Sequence, residues 1–487
     1  MKEINSKFIL LSNAILPFVE TGKTYCIGLS GGSDSVLLLH SLHKLRSEKK
    51  IRIVALHLNH SLRDDESEGD ADFCKEICDK LGIELIIKKI DIKSFASKNK
   101  LSTEEAARKC RYKWFAEVCE KIDADSIFIA HHADDQSETV LLRLFRGAGL
   151  RGLAGMKETT FFGTLKIVRP WLNIPRDILD NVIEEMKLQY RYDSSNSNIH
   201  FDRNWMRHYL IPKLNHHFKS NINERLLRTA SISSEAHDFI LQHAETIFYK
   251  HVRKSLFGNI FPLNEFRQLH PAVQNEVLIL MFGNEAAAMQ FSHNGIMELR
   301  DFTLNDSLHC PRQFPGTISV GKAYNHLFVG LKKDLKINSV KIRIGESFTT
   351  KSGITVSIEP VESRDKSISS NGEAWENVVL GLKSEMIQYA SVPKNSVFNI
   401  RSRRNGDRYK PIHGKETKIK NLFITAHIPQ QLKNAIPIIE LEDQIVWLSG
   451  WRIAQEFKIS DKTVVTNRQN IAIKVKYHCP VNCRVLI

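Results

Sequence analysis

The sequence predicts an α/β protein, in which a mostly parallel sheet is followed by a helical domain and a mixed α+β domain. Strand and helix patterns alternate over the first 150 residues, which is typical of a parallel sheet covered on both faces. The pattern becomes mainly helical from Pro212, and short strand patterns become frequent after Leu335. We therefore expect three domains, over residues 1–215, 216–335 and 336–487.

The individual elements follow from local patterns. Short apolar or β-branched runs predict strands, and apolar residues at helical spacing predict helices. Ser102 and Glu105 form a capping-box signature before one of these helices. The predicted strands are Thr24–Leu29, Ile51–Leu58, Ile83–Ile90 and Asp125–Ala130, then Val340–Ile344, Ile354–Ile358 and Ile445–Leu448; the predicted helices include Asp64–Leu81, Gln136–Arg146, Ile222–Ile247 and Pro271–Phe282.

Composition and charge narrow the class of function. The 487 residues include 69 Lys and Arg against 55 Asp and Glu, a net charge of +14. Such an excess favours a polyanionic partner, because neutralising phosphates releases counterions; a merely basic enzyme is the alternative. No stretch approaches about 18 uninterrupted apolar residues, so we expect no membrane partner.

The cysteines and the N-terminus predict a cytoplasmic location. Eight cysteines in a chain of this length do not make a disulfide framework, and no small-residue cleavage site follows the N-terminal apolar run. His478, Cys479 and Cys483 offer three metal ligands without an obvious fourth. Whether that C-terminal cluster has any role stays open.

A glycine-rich loop after the first strand is the strongest candidate for chemistry. Its glycines let backbone N–H groups approach an anion at the start of a helix. Asp34 would repel phosphate unless a cation lies between them, which indicates Mg²⁺. An ordinary capped turn is the alternative. The candidate phosphate-binding residues are Ser30, Gly31, Gly32, Ser33, Asp34 and Ser35.

A second polar stretch, residues 131–139, follows the strand that ends at Ala130. It reads HHADDQSET, and Asp135 and Glu138 are spaced to share a helical face. Such a group can hold Mg²⁺ or transfer protons, although a polar helix cap is the alternative. Ligands bind at the carboxyl ends of parallel strands, so both loops are expected in one active site.

These motifs carry a resemblance to a known family. SGGSDS after a strand resembles the PP-loop of the N-type ATP pyrophosphatases. HHADDQSET, followed by LLRLFRGAGLRGLAGM, resembles the tRNA(Ile)-lysidine synthase family within that superfamily. The segments 57–63, 105–112, 193–196, 203–207, 401–408 and 418–428 resemble further parts of the family.

The resemblance implies an ATP-dependent ligase with a defined reaction. ATP adenylates O2 of the wobble cytidine in an isoleucine tRNA with a CAU anticodon, and pyrophosphate leaves. The side-chain amine of L-lysine then attacks C2 and releases AMP. The product, lysidine, switches the tRNA from methionine to isoleucine identity. A homodimer is common in the family, and the sequence leaves the oligomeric state open.

The resemblance also implies roles for particular residues. Asp34 and Asp135 would contact Mg²⁺, and Ser30–Ser35 would bind ATP. His131 and Glu138 would position ATP, lysine or the cytidine, or deprotonate the lysine amine. The implied cationic contacts to phosphate or to the lysine carboxylate are Arg108, Arg111 and Arg203, and Arg207 joins the candidate substrate contacts.

For each of these arginines a structural reading stays open. Arg108 and Arg111 would then lie on a solvated helix face, and Arg203 and Arg207 would form surface ion pairs. Trp114 and Trp205 are expected in the core rather than as platforms for bases.

The stretch Arg401–Lys420 predicts a tRNA-binding surface in the C-terminal domain. It carries eight Lys or Arg residues and two acids, and such a surface positions RNA through phosphates without reading sequence. A solvated basic face is the alternative. Arg403, Arg404 and Arg408 are the candidate contacts.

Two rival functions are compatible with parts of this pattern. A PP-loop enzyme that thiolates tRNA would generally use cysteine pairs, and no C-x-x-C occurs here. A non-catalytic tRNA-binding protein would not need both the SGGSDS loop and the acidic cluster.

Overall fold

The computed structural model describes residues 2–59, 64–99, 101–192, 202–255, 258–283, 293–305, 312–313, 318–331, 335–350, 353–361, 385–428, 432–459 and 470–478. The chain divides into two compact units, residues 1–239 and 240–487. The three domain boundaries drawn from the sequence stay a prediction. No helix in the described ranges is long and apolar enough to cross a membrane.

The first unit is built on a six-stranded, mainly parallel sheet. Its strand order is β3-β2-β1-β4-β6-β5, and only β5 runs antiparallel to its neighbour. This confirms the predicted parallel α/β domain. The strands are β1 Thr24–Gly28, β2 Arg52–Asn59, β3 Glu84–Lys89, β4 Ser126–Phe128, β5 Thr159–Phe162 and β6 Leu165–Val168.

Helices cover both faces of this sheet. One apolar cluster joins α1, α2, α3 and α8 to one face, and a second joins α5 to the other. The capping box predicted at Ser102 and Glu105 is present before α5. The helices are α1 Lys2–Ile15, α2 Ser33–Lys49, α3 Asp64–Leu81, α4 Ile92–Asn99, α5 Thr103–Lys121, α6 Ala133–Phe145, α7 Leu150–Leu153, α8 Arg176–Glu185, α9 Asp202–Trp205 and α10 Ile211–Phe218.

The strand order creates a crevice between β1 and β4. From β1 the chain moves outward to β2 and β3, then returns to the other side of β1 as β4. The connections that leave β1 and β4 therefore diverge, and ligands bind at such a switch point. The two motif loops follow these two strands.

The second unit begins with helices, as the sequence predicts, and with a sheet that the sequence analysis did not predict. The helices are α11 Ile222–His251, which starts in the first unit, α12 Leu263–Gln268, α13 Pro271–Phe282 and α14 His293–Leu304. The predicted helix at Pro271–Phe282 is confirmed. The sheet has the order β7-β8-β11-β10-β9, with strands β7 Arg253–Ser255, β8 Gly258–Pro262, β9 Arg312–Gln313, β10 Ile318–Ala323 and β11 His326–Leu331.

The C-terminal part contains two four-stranded antiparallel sheets, which confirms a mixed α+β region. Their orders are β12-β16-β19-β20 and β13-β14-β21-β15, and a single apolar cluster includes residues of both. The elements are β12 Val340–Arg343, β13 Ser347–Thr349, β14 Thr355–Pro360, β15 Glu385–Pro393, β16 Val397–Arg401, β17 Arg408–Tyr409, β18 Thr417–Lys418, α15 Ile419–Thr425, β19 Ile438–Leu441, β20 Gln444–Leu448 and β21 Asn470–His478.

A buried ion-pair network organises the start of the basic stretch. Arg401 is 4% exposed, and its Nη2 donates to Glu440 Oε1 at 2.7 Å. Its Nη1 and Nη2 donate to the two carboxylate oxygens of Asp407 at 2.9 and 3.1 Å. Asp407 and Glu440 together raise the pKa of Arg401 despite its burial. Arg401 is therefore a structural residue, and the other cations of the stretch are left for the surface.

Replacing Arg401 with Met should lower the free energy of unfolding of the second unit by about 3–5 kcal/mol, because Asp407 and Glu440 would be left without their cation. Chemical denaturation of the full chain, followed by circular dichroism, measures this. The control is Arg408→Met, whose partner Glu416 is exposed and whose loss should cost under about 1 kcal/mol. Equal costs for the two variants would contradict the network's importance.

Candidate active site

The loop Ser30–Ser35 adopts the shape expected of an anion-binding turn. Gly31 has a φ of +89°, which favours glycine, and Gly32 is the N-cap of α2. The Ser35 hydroxyl donates to the Gly32 carbonyl at 2.9 Å and lies 3.1 Å from the Ser30 hydroxyl oxygen. These bonds fix the loop at a helix N-terminus, where phosphate is favoured.

Residues behind the loop hold it in place, and the sequence analysis assigned none of them a role at the loop. His57 lies 2.9 Å, through Nδ1, from the carbonyl oxygen of Leu29 at the end of β1. The backbone N–H of Arg191 donates to the Gly31 carbonyl at 2.9 Å. A Cβ at position 31 would lie 3.4 Å from Cys74 Sγ. His57 falls in a segment noted for its family resemblance, but residues 60–63 of that segment, and residues 193–196, lie outside the described ranges.

The second motif loop brings His132 between two carboxylates. The backbone N–H of Asp134 donates to His132 Nδ1 at 3.3 Å, so a neutral ring carries its proton on Nε2. Nε2 lies 3.4 Å from Asp135 Oδ2 and 3.8 Å from Asp34 Oδ2. The structure thus joins the two loops through one imidazole, which the sequence analysis did not assign to the site.

Arg176 is a further residue that the sequence analysis missed. Its Nη1 donates to Asp34 Oδ2 at 3.4 Å and lies 3.4 Å from His132 Nε2. It begins α8 directly after the N-cap Pro175. A cation at a helix N-terminus is unfavourable against the helix dipole. This unusual placement is the one signal in the sequence that could have pointed to a site role for Arg176.

The two carboxylates differ in their proton affinity. Burial raises the pKa of Asp34, and the nearby His132 and Arg176 only partly oppose this effect. Burial also acts to raise the pKa of Asp135, but His132, His131, a backbone N–H and Arg207 together lower it below its ordinary value. Asp135 is therefore the more firmly ionised of the two.

Glu138 forms a short ion pair with Arg207. Arg207 Nε donates to Glu138 Oε1 at 2.6 Å, and its Nη2 donates to Asp135 Oδ1 at 3.2 Å. The Glu138 side chain is 2% exposed, and burial raises its pKa although Arg207 opposes the rise. Arg207 lies in a π-helical segment, Met206–Leu210, and such segments are frequent at functional sites.

His131 is held as a neutral ring. Arg169 Nε donates to its Nδ1 at 3.1 Å, so the ring proton lies on Nε2. Burial lowers the pKa of His131 to about 3, and Arg169 adds to the effect against the opposing Asp135. A base near neutral pH needs a pKa near 7, so this ring is better suited to donate a hydrogen bond from Nε2.

Four arginines lie close enough for their charges to interact. Burial lowers the pKa of Arg143, and the positive charges of Arg108, Arg203 and Arg169 lower it further. The Arg108 guanidinium also lies over the Tyr112 ring, 5.0 Å from its centroid. Such a cluster attracts an anion such as phosphate or carboxylate. Of the predicted cations, Arg108 and Arg203 belong to this cluster, and Arg111 lies half-buried in α5.

The segment after α6 is fastened to that helix. Gln136 donates to the Met156 carbonyl at 2.9 Å and accepts from the Met156 N–H at 2.7 Å. Arg143 donates to the carbonyls of Gly152 and Gly155 at 2.9 and 2.6 Å. The glycine-rich stretch thus serves to brace α6.

The two tryptophans differ in their burial. Trp114 is 4% exposed, so its predicted place in the core is confirmed. The same prediction for Trp205 is wrong, because that side chain is 43% exposed. Its neighbour Met206, at the start of the π-helical segment, is the buried residue here, because adjacent positions of a helix point in different directions.

The candidate RNA contacts Arg403, Arg404 and Arg408 lie in the second unit. Arg404 and Arg408 are exposed, and Arg403 is partly buried. Arg408 Nε donates to Glu416 Oε1 at 2.8 Å, so its charge is partly compensated on the protein itself.

The class of protein follows from comparison with known families. Residues 3–214 match the PP-loop domain family, and this match contains both motif loops. Residues 398–467 match the TilS substrate C-terminal domain, which contains the basic stretch. The first unit therefore carries an ATP-using PP-loop domain.

Curated relatives match over most of their length. A tRNA(Ile)-lysidine synthase of Clostridioides difficile is 31% identical over 91% of this chain and 94% of its own. The enzyme of the same name from Geobacillus kaustophilus is 30% identical over 89% and 91%, respectively. The chain belongs to the tRNA(Ile)-lysidine synthase family, and the predicted ATP-dependent ligase is confirmed at the level of this family.

A double-mutant cycle should show strong coupling between Glu138 and Arg207. Because Glu138 is buried, we expect Glu138→Gln and Arg207→Met to be coupled by about 2–3 kcal/mol in the free energy of unfolding. The control cycle uses Arg52 and Glu84, a 2.7 Å pair whose side chains are 55% and 50% exposed. That pair should couple by under about 1 kcal/mol; similar coupling in both cycles would show that Glu138 is not held as described.

Proposed function

We propose that this chain ligates L-lysine to C2 of the wobble cytidine of an isoleucine tRNA with a CAU anticodon. ATP adenylates O2 of the cytidine and releases pyrophosphate; the lysine amine then attacks C2, and AMP leaves. C2 is a poor electrophile until its oxygen is adenylated, which is why the reaction consumes ATP. The enzymes of matching sequence carry the name of this product, lysidine.

One observation carries the assignment of the site. The carboxylates of Asp34 and Asp135 both face His132 Nε2, at 3.8 and 3.4 Å, beside the phosphate loop and at the switch point of the sheet. Adenylyl transfer depends mainly on positioning and charge neutralisation. A phosphate loop that adjoins acids and arginines from several elements supplies both.

The residues present fit Mg²⁺. Asp34 and Asp135 offer hard carboxylate oxygens, and no group of three His, Cys, Asp or Glu side chains in the described ranges forms a metal cage. Mg²⁺ is usually held by one or two carboxylates together with substrate phosphates, so this donor set suits it. When bound, Mg²⁺ would neutralise charge on the ATP phosphates.

The remaining residues are assigned by their contacts. Ser30–Ser35 bind ATP phosphates through backbone N–H groups and hydroxyls. His131 donates from Nε2 and orients a substrate oxygen. Arg108 and Arg203 attract phosphate or the lysine carboxylate. Glu138, paired with Arg207, positions the lysine ammonium and has a pKa raised toward that of a proton acceptor.

The second unit is proposed to grip the tRNA away from the reacting base. Arg403 and Arg404 present charge at the surface of a domain family named for its substrate. We also propose a cytoplasmic location, and a homodimer stays a prediction from the family resemblance.

Replacing Asp34 with Ala should abolish lysine incorporation while tRNA binding survives, because Asp34 serves ATP and Mg²⁺ rather than RNA. The assay uses tRNA transcript, ATP and labelled lysine, with filter binding of the tRNA alongside. Asp79→Ala, at an exposed position of α3, is the matched control and should retain activity. Loss of tRNA binding in a folded Asp34 variant would refute this division of labour.

Replacing Arg403, Arg404 and Arg408 together with Gln should weaken tRNA binding and lower its dependence on salt. Each lost phosphate contact should reduce the slope of log K against log salt by about 1. The measurement is a binding isotherm at several KCl concentrations. An unchanged slope would remove this surface from the tRNA interface.

A further inference from the structure

The four arginines of the basic stretch differ in whether an acid pairs with them. Arg401 forms ion pairs with Asp407 and Glu440, and Arg408 is paired with Glu416 at 2.8 Å. Arg404 Nη1 lies 4.0 Å from Glu440 Oε2. Arg403 forms no ion pair among the residues that the structure describes, and its Nε is buried without a hydrogen-bond partner there. Among the four arginines of the stretch, Arg403 is therefore the one without an acidic partner in the described residues.

Two hydrogen bonds tie the segments that carry Lys433 and Lys420 to the loop that contains Arg403. The Ser402 hydroxyl donates to the Asn434 carbonyl at 2.5 Å, which fixes the chain beside Lys433. The N–H of Ile419 donates to the Asp407 carbonyl at 3.0 Å, which fixes the chain beside Lys420. The loop 402–407 is thus tied at one end to the segment before β19 and at the other to the start of α15.

Lys433 is repelled by the charges of both Arg403 and Lys420. Partial burial lowers the pKa of Lys433, and the positive charges of Arg403 and Lys420 lower it further. Neither lysine has an acidic partner within 4.0 Å in the described part of the chain. Like charges gathered without a counter-charge weaken a fold, so an arrangement of this kind is typical of a site whose anion comes from a ligand.

We infer that Arg403, Lys420 and Lys433 form a binding site for one backbone phosphate of the RNA substrate. This inference rests on the proposed tRNA-modifying function and adds Lys420 and Lys433 to it. A phosphodiester fits because guanidinium and ammonium groups both donate charge-assisted bonds to its oxygens. RNA supplies such groups regularly along its backbone, and a contact of this kind positions the molecule without reading its sequence.

The buried network gives this site its rigidity. Asp407 accepts from two nitrogens of Arg401 and also from the backbone N–H of Arg404, at 2.6 Å. Arg403 lies between these two anchored residues, so its backbone is fixed before RNA arrives. A site formed in advance loses less conformational entropy on binding.

The test compares Lys433→Gln with Lys394→Gln, an exposed lysine in the turn between β15 and β16. The isoleucine tRNA transcript is the probe, bound over a KCl series. Lys433→Gln should bind about five- to tenfold more weakly near 0.1 M salt, with a slope lower by about 1. Lys433→Arg should bind like the wild type, and Lys394→Gln should keep both affinity and slope.

Thermal unfolding tests whether Lys433 has a structural role rather than a binding role. Since Lys433→Gln relieves repulsion, its Tm should equal or exceed that of the wild type. Weaker binding with a lowered Tm, or with an unchanged slope, would overturn the phosphate site. Lysine incorporation by the wild-type chain is measured first: its absence would refute the proposed function, whereas normal incorporation with unaltered binding by Lys433→Gln would refute this site alone.

Discussion

Charge compensation at the switch point of the sheet is the constraint on which the rest of the first unit depends. Asp34, Asp135 and Glu138 lie largely buried within one crevice, where unpaired carboxylates would be costly. Arg176 and Arg207 reach them from α8 and from the π-helical segment. Elements far apart in sequence thus supply the cations that neutralise these acids.

The same compensation leaves the buried acids unequally satisfied. Arg207 bonds at 2.6 Å with Glu138, whereas Arg176 contacts Asp34 at the longer distance of 3.4 Å. The pKa of Asp34 is accordingly raised by burial while that of Asp135 is lowered. Asp34 is the less satisfied carboxylate, and it stands in the phosphate loop, where an incoming cation and its phosphates would complete its shell.

Sequence patterns were sufficient for the parallel sheet and for the two loops, because both depend on local signals. Gly31 needs its positive φ, and apolar runs mark the strands around it. The cations that pair with the acids were harder to predict from sequence. Arg176 lies 142 positions from Asp34, and nothing local distinguishes it except a cation at a helix start. Trp205 was misplaced for a related reason, since it borders a π-helical segment whose turn breaks the regular helical period.

The C-terminal part shows why a count of charges cannot define an interface. Arg401 begins the basic stretch, yet it is the most buried of its cations and holds two acids inside the fold. Those bonds occupy Asp407 and Glu440, so Arg403 forms an ion pair with neither of them. One buried arginine therefore both shapes the loop and leaves it positive. In the first unit cations neutralise buried acids; in the second, a buried cation pairs with the acids and leaves Arg403 without an acidic partner in the described residues.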